Sequence, residues 1–179
     1  MGKKLPLLAL CLALIVSLAA FPAQAAETVI EVKPPTELPQ AGETFTVTVE
    51  VTGNPGFNTV ELKLGYDSIA MSCESAEAGD LISGMLYVTN HDAPEGAIVA
   101  GASLAAVEGD GVIAEFTFVA KENVTDYGFT LADTNLTDGD GNVFALKLKA
   151  GDSVAVVSPS SSPALPSGSS ASSPPKASG

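Results

Sequence analysis

Along much of the chain, apolar and polar residues alternate one for one. In TFTVTVEV, Thr44 to Val51, the residues Phe45, Val47, Val49 and Val51 share one parity, and Thr44, Thr46, Thr48 and Glu50 share the other. A period of two belongs to a strand with one face in a core and one in solvent, and Thr and Val favour strands. NPGFNTVELKLGYD, Asn54 to Asp67, repeats the pattern after a turn. Val60, Leu62, Leu64 and Tyr66 fall on one side, and Thr59, Glu61 and Lys63 on the other. Further strands are predicted in TVIEV, GMLYVTN, GAIVAGASLA, GVIAEFTFVAK, YGFTLADT, NVFALKLKAGD and SVAVV. Turn sequences such as PQAGE and TGNPG separate them. Short strands at this spacing, with no amphipathic helix among them, predict an all-β antiparallel sandwich over residues 26–157. A single helical turn is expected around Glu74 to Asp80.

The two ends of the chain read differently. MGKK, an apolar run from Leu5 and the small residues of Ala23-Gln24-Ala25 have the layout of a secretory signal peptide over residues 1–25, cleaved after Ala25. A lipid anchor at Cys11 is the weaker alternative, because the apolar run continues past it. Residues 158–179 are dominated by Ser, Pro, Ala and Gly, the composition of a disordered tail or linker. LPSGS lacks the threonine and apolar tail of a sortase signal. No apolar stretch after Ala25 is long enough to span a bilayer, so the expected product is exported and extracellular or surface-associated.

Charge narrows the partners. Without Lys3 and Lys4 the chain keeps 6 lysines and no arginine against 21 acidic residues, a net charge of about −15. Such a surface repels phosphate backbones and disfavours nucleic acid. Cys73 is the single cysteine after the leader, so stability must come from a core rather than an intrachain disulfide.

The residue inventory offers little chemistry. His91 is the only histidine and sits in a loop-like TNHDAPEG, and zinc would need more His or Cys. The acidic residues fall in turns or at outward strand positions rather than as a pair set for glycoside hydrolysis. DTNLTDGDGN, Asp133 to Asn142, is rich in oxygen ligands, with Asp133, Asp138 and Asp140 as the candidate calcium carboxylates. Neither register places Gly at position six or a bidentate Glu at twelve, so a turn between strands is the stronger reading and no cofactor is expected. Glu108 and Asp110 are weaker candidates still. AIVAGASLAA, Ala97 to Ala106, is small on both parities. It is either packed under a neighbouring loop or a plateau on which a partner helix can come close.

Three stretches carry a family resemblance. GNPGFNTVELKLGYDS, GDGVIAEFTFVAK and AGETFTVTVEVTG resemble, in order and spacing, strands of bacterial cohesin domains, and the likeness covers about Glu27 to Val157. It implies a nine-stranded jelly-roll sandwich related to cellulose-binding modules. It also implies a non-catalytic module that docks a dockerin, a calcium-loaded helix pair, to assemble secreted polysaccharide-degrading enzymes on scaffolds such as cellulosomes. In the family the partner rests on the flat sheet of the third, fifth, sixth and eighth strands. Alignment on Tyr66-Asp67 puts an amide and a carboxylate position at Thr59 and Glu61, so Thr replaces the amide and Glu keeps the acid. Lys63 shares their parity, and the contacts on the next strand align near Gly101, Ser103 and Leu104. Carbohydrate binding is the alternative that the related fold suggests. The chain has no Trp, and Tyr66, Tyr87 and Tyr127 are not spaced as a stacking row.

Overall fold

The computed structural model describes residues 27–151 and 153–157; the expected leader and tail lie outside them. Ten strands form two stacked sheets: β1 (Thr28–Lys33), β2 (Thr44–Thr52), β3 (Phe57–Gly65), β4 (Met71–Ala78), β5 (Leu86–Asn90), β6 (Ala97–Val107), β7 (Gly111–Ala120), β8 (Thr130–Thr137), β9 (Leu146–Ala150) and β10 (Ser153–Val157). One sheet has the order β10-β9-β1-β2-β7-β4 and the other β5-β6-β3-β8. The pairings are antiparallel except β1 with β9, which run parallel. The result is the expected β-sandwich with one strand more than the nine implied.

Alternation decides which residues fill the space between the sheets. Val47, Val49, Val51, Leu62, Leu64, Phe116 and Phe118 are all fully buried, each on the apolar parity of its strand. Phe118 is the centre of an aromatic cluster, stacked on Phe45 at 5.6 Å and met edge-on by Tyr66 at 5.0 Å between ring centroids. Such offset and edge contacts add to what burial contributes.

Two local expectations are corrected. Glu74 to Asp80 is not a helical turn: most of it belongs to β4, and a single 3-10 turn follows at Asp80–Ile82. Ala and Glu favour helices when alone, but β4 pairs with β7 from Met71↔Ala120 to Ala78↔Ala114, with one shift at Glu74, and pairing overrides that weak preference. The turn expected from Asp133 begins only at Asp138, because β8 continues to Thr137. A bulge sets two residues, Asp133 and Thr134, against Leu62, and Asp133 has a φ of 48°. The extra residue breaks the period of two that the sequence pattern relies on.

Candidate docking face

The four-stranded sheet consists of β3, β5, β6 and β8, the third, fifth, sixth and eighth strands in chain order. Directly opposed residues in an antiparallel ladder share a face, so the register reads out the outer surface row by row. One row is Leu86, Ala102, Thr59 and Thr137; the next is Val88, Ala100, Glu61 and Asn135; the third is Asn90, Ile98, Lys63 and Ala132. Val60, Leu62 and Leu64, on the other parity of β3, point into the core.

This face is graded. Toward the β5 margin it is apolar, with Leu86 84% and Val88 67% exposed. Toward β8 it is polar, and Asn135 Nδ2 donates to Glu61 Oε2 at 3.1 Å. This bond sets a side-chain amide from β8 beside the Glu61 carboxylate. Between the halves lies a shallow hollow of about 350 Å3 floored by the small residues Ala100 and Ala102 and walled by Leu86, Val88, Thr59 and Glu61.

The sequence-predicted residues do not all gather here. Thr59 and Glu61 do, with Glu61 exposed. Lys63 is on the same face but already engaged: its ammonium pairs with Glu95 and with Asp133 at 3.4 Å. The Glu95 hydrogen bond, opposed by partial desolvation, holds its pKa above the ordinary lysine value. Gly101 lies opposite Val60, on the core-facing parity, and the outer positions on β6 are Ala100 and Ala102 instead. Ser103 begins an irregular excursion of β6: Thr59 pairs with Ala102 and Phe57 with Val107, so four residues stand opposite Asn58 alone. The Ser103 hydroxyl accepts from the Ala105 N–H at 3.3 Å. Asn58 Nδ2 donates to the carbonyls of Ser103 and Leu104 at 3.1 and 3.2 Å, which pins the excursion. Leu104, within it, is fully exposed. Sequence reasoning missed Leu86, Val88 and Asn135; an alternation count of GMLYVTN would have put Leu86 and Val88 on one side.

β6 beyond Gly101 is open to solvent rather than packed under a loop, since Ala102, Leu104, Ala105 and Ala106 are exposed. The calcium candidates do not converge. Asp133 faces Lys63, whereas Asp138 accepts from the backbone N–H groups of Asp140 and Asn142 at 2.9 and 2.8 Å and from the Asn142 amide at 2.8 Å. The Asn142 side-chain bond, then its backbone bond, holds the Asp138 carboxyl below its ordinary value. N–H donors around a carboxylate satisfy a turn and leave it few lone pairs for a cation. Among the described residues no three His, Cys, Asp or Glu side chains are placed to hold a metal. His91 Nε2 has Asp92 at 3.4 Å in a loop. Tyr66 packs on Phe118, and Tyr127 stacks on Phe129 while its hydroxyl donates to the Glu37 carbonyl, so neither joins Tyr87 in a flat aromatic row.

No curated protein matches the sequence of this chain. Among solved structures it is similar to a non-cellulosomal cohesin from the archaeon Archaeoglobus fulgidus, with TM-score 0.61 and 22% identity over 69% of this chain and 87% of that one. A type II cohesin domain from the cellulosome of Acetivibrio cellulolyticus gives TM-score 0.59 and 17% identity over 73% and 95%. The cohesin of a type I cohesin–dockerin complex from Clostridium thermocellum gives 0.57 and 23% over 72% and 94%. These likenesses establish the sandwich fold. The family model for the cohesin domain matches residues 29–157, almost all of the folded region, and on that match the chain belongs to the cohesin domain family.

Proposed function

We propose that this chain is an exported, non-catalytic docking module whose β5-β6-β3-β8 face receives a dockerin-type helix pair, in an extracellular or cell-surface assembly for polysaccharide degradation. The observation that carries the reading is the graded outer face: exposed Leu86 and Val88 on one side and the Glu61–Asn135 pair on the other, over a floor of alanines, with exposed Leu104 on the excursion of β6 that follows. A helix laid on such a surface can seat an apolar side chain over Ala100 and Ala102. It can also offer a hydroxyl or ammonium donor to Glu61. A few well-packed anchors carry most of an interface's energy, while a carboxylate fixes orientation and partner choice. Family membership and the likeness to a cohesin solved with its dockerin support the same assignment. Residues 1–25 serve as the export signal, and residues 158–179 as a tail or linker.

Isothermal titration of the chain with calcium-loaded dockerin modules tests this. At least one is expected to bind, with affinity reduced by about tenfold or more in Leu104→Asp. A folded domain that binds none of a broad panel would count against docking.

A further inference from the structure

A two-sheet sandwich exposes four edges, and three are protected here. β4 carries Glu74 and Glu77, and its ladder shifts between Cys73 and Ser75. β8 carries Asp133 in a bulge at positive φ. β10 is followed within two residues by Pro159, which has no N–H to extend a ladder. Charges, bulges and prolines of this kind keep an edge from pairing with another chain. β5 has none of them. Leu86–Asn90 holds no charge, proline or glycine, its ladder to β6 runs without a shift, and all five residues are exposed.

We propose that β5 is a self-pairing edge through which two copies of this chain form an antiparallel, two-fold dimer. Charge selects the occupant. Acidic residues outnumber lysines 21 to 8, so most approaches of a second copy meet carboxylate against carboxylate. β5 and the adjoining Ala97–Val107 of β6 carry no charge, so two copies meet there with least repulsion, and a cationic segment would find no counter-charge. The chain's own residues 158–179 are a poor strand: they hold five prolines, and the longest run between them, Ser167 to Ser173, has no β-branched or aromatic residue. A two-fold axis matches the edge to itself. The pleat then sets Leu86 and Val88 of both copies on one face, joining their apolar margins. Five-residue strands span only about 17 Å, so the contact falls at the weak end of specific interfaces and the dimer belongs to high concentration.

The test is sedimentation equilibrium of the chain from Ala26 to Gly179, from about 10 µM to about 1 mM, in low and high salt. The mass is expected to rise toward the dimer with concentration, more steeply in high salt, where repulsion is screened. Amide exchange over Leu86–Asn90 should slow in step. Thr89→Lys, which sits at this edge on the parity opposite to the docking face, should weaken dimerisation by about tenfold or more despite lowering the net negative charge. Leu104→Asp, on the β6 excursion and outside the β5 ladder, should leave it unchanged. Both substitutions are at exposed positions, and circular dichroism confirms the fold of each. A wild-type chain that stays monomeric at the highest concentration and salt overturns the proposal. A dimer that survives Thr89→Lys, or is lost in Leu104→Asp, places the contact elsewhere and overturns it equally. None of these outcomes depends on whether a dockerin binds.

Discussion

Leu62 and Glu61 are neighbours in sequence on opposite faces of β3, and their separation can be measured. Leu62 is fully buried, opposite Val99 on β6 and the Asp133–Thr134 bulge on β8. Leu62→Ala deletes three carbons, about 2.4 kcal/mol at roughly 0.8 kcal/mol per buried carbon. Its flanks are strands held in two ladders, which limits collapse into the space left, and the cavity adds about 1 kcal/mol more. The expected loss is thus about 3–4 kcal/mol. In urea, with a slope of about 2 kcal/mol per molar for a domain of this size, the midpoint should fall by roughly 1.5–2 M. The melting temperature should fall by roughly 10–15 °C. Glu61→Ala should move either by very little, within about 0.5 kcal/mol, because its side chain is outward. A Leu62→Ala cost under about 1 kcal/mol at unchanged slope, or a Glu61→Ala loss as large as that of Leu62→Ala, would refute this division of β3 into a core side and an outer side.

Glu61→Lys should reduce dockerin affinity by about tenfold or more while leaving the melting curve in place, since it reverses the one carboxylate at the centre of the face; titration calorimetry and a thermal melt read the two effects separately. Gly96 has φ +126°, and a Cβ there would lie 2.4 Å from the Leu64 carbonyl oxygen, so Gly96→Ala should cost about 2 kcal/mol or more in urea unfolding; an unchanged midpoint would refute the contact. Burial pushes the Cys73 thiol up from its ordinary 9.0 to about 11. The native thiol should therefore react with a disulfide reagent at pH 8 far more slowly than the urea-unfolded chain, and equal rates would contradict its burial. A raised thiol pKa stabilises the fold fully below pH 9 and loses that contribution as pH rises through 11. Cys73→Ala should accordingly flatten part of the alkaline fall in stability.

Most of the sandwich was legible because β2 alternates throughout, β3 from Thr59 and β7 from Ala114, and the turns between strands carry Gly, Pro and Asn. β4 was not, because Ala and Glu disguise a strand whose existence depends on a remote partner, β7. β8 was read short, because the bulge at Asp133–Thr134 shifts the period in mid-strand. The face itself was foreseeable on β3, where large apolar residues mark the core side. On β6 they do not. Ile98, Ala100 and Ala102 differ too little from Val99, Gly101 and Ser103 to fix the parity, and a slip of one residue exchanges the two faces of a strand. The family alignment near Gly101 thus falls one residue from the outward positions Ala100 and Ala102, and no pattern in β6 corrects it. The Glu61–Asn135 pair joins residues 74 apart in sequence, and only the ladder register brings them together.

The most direct measurement is a map of backbone amide shifts by heteronuclear NMR as a calcium-loaded dockerin module is added to the labelled chain. The shifts are predicted to cluster on Leu86, Val88, Ala100, Ala102 and Leu104, with Glu61 and Asn135, while the outer face of the six-stranded sheet stays silent. Shifts concentrated on β1, β2 and β7 instead, or binding that leaves the β5-β6-β3-β8 face unmoved, would contradict the account.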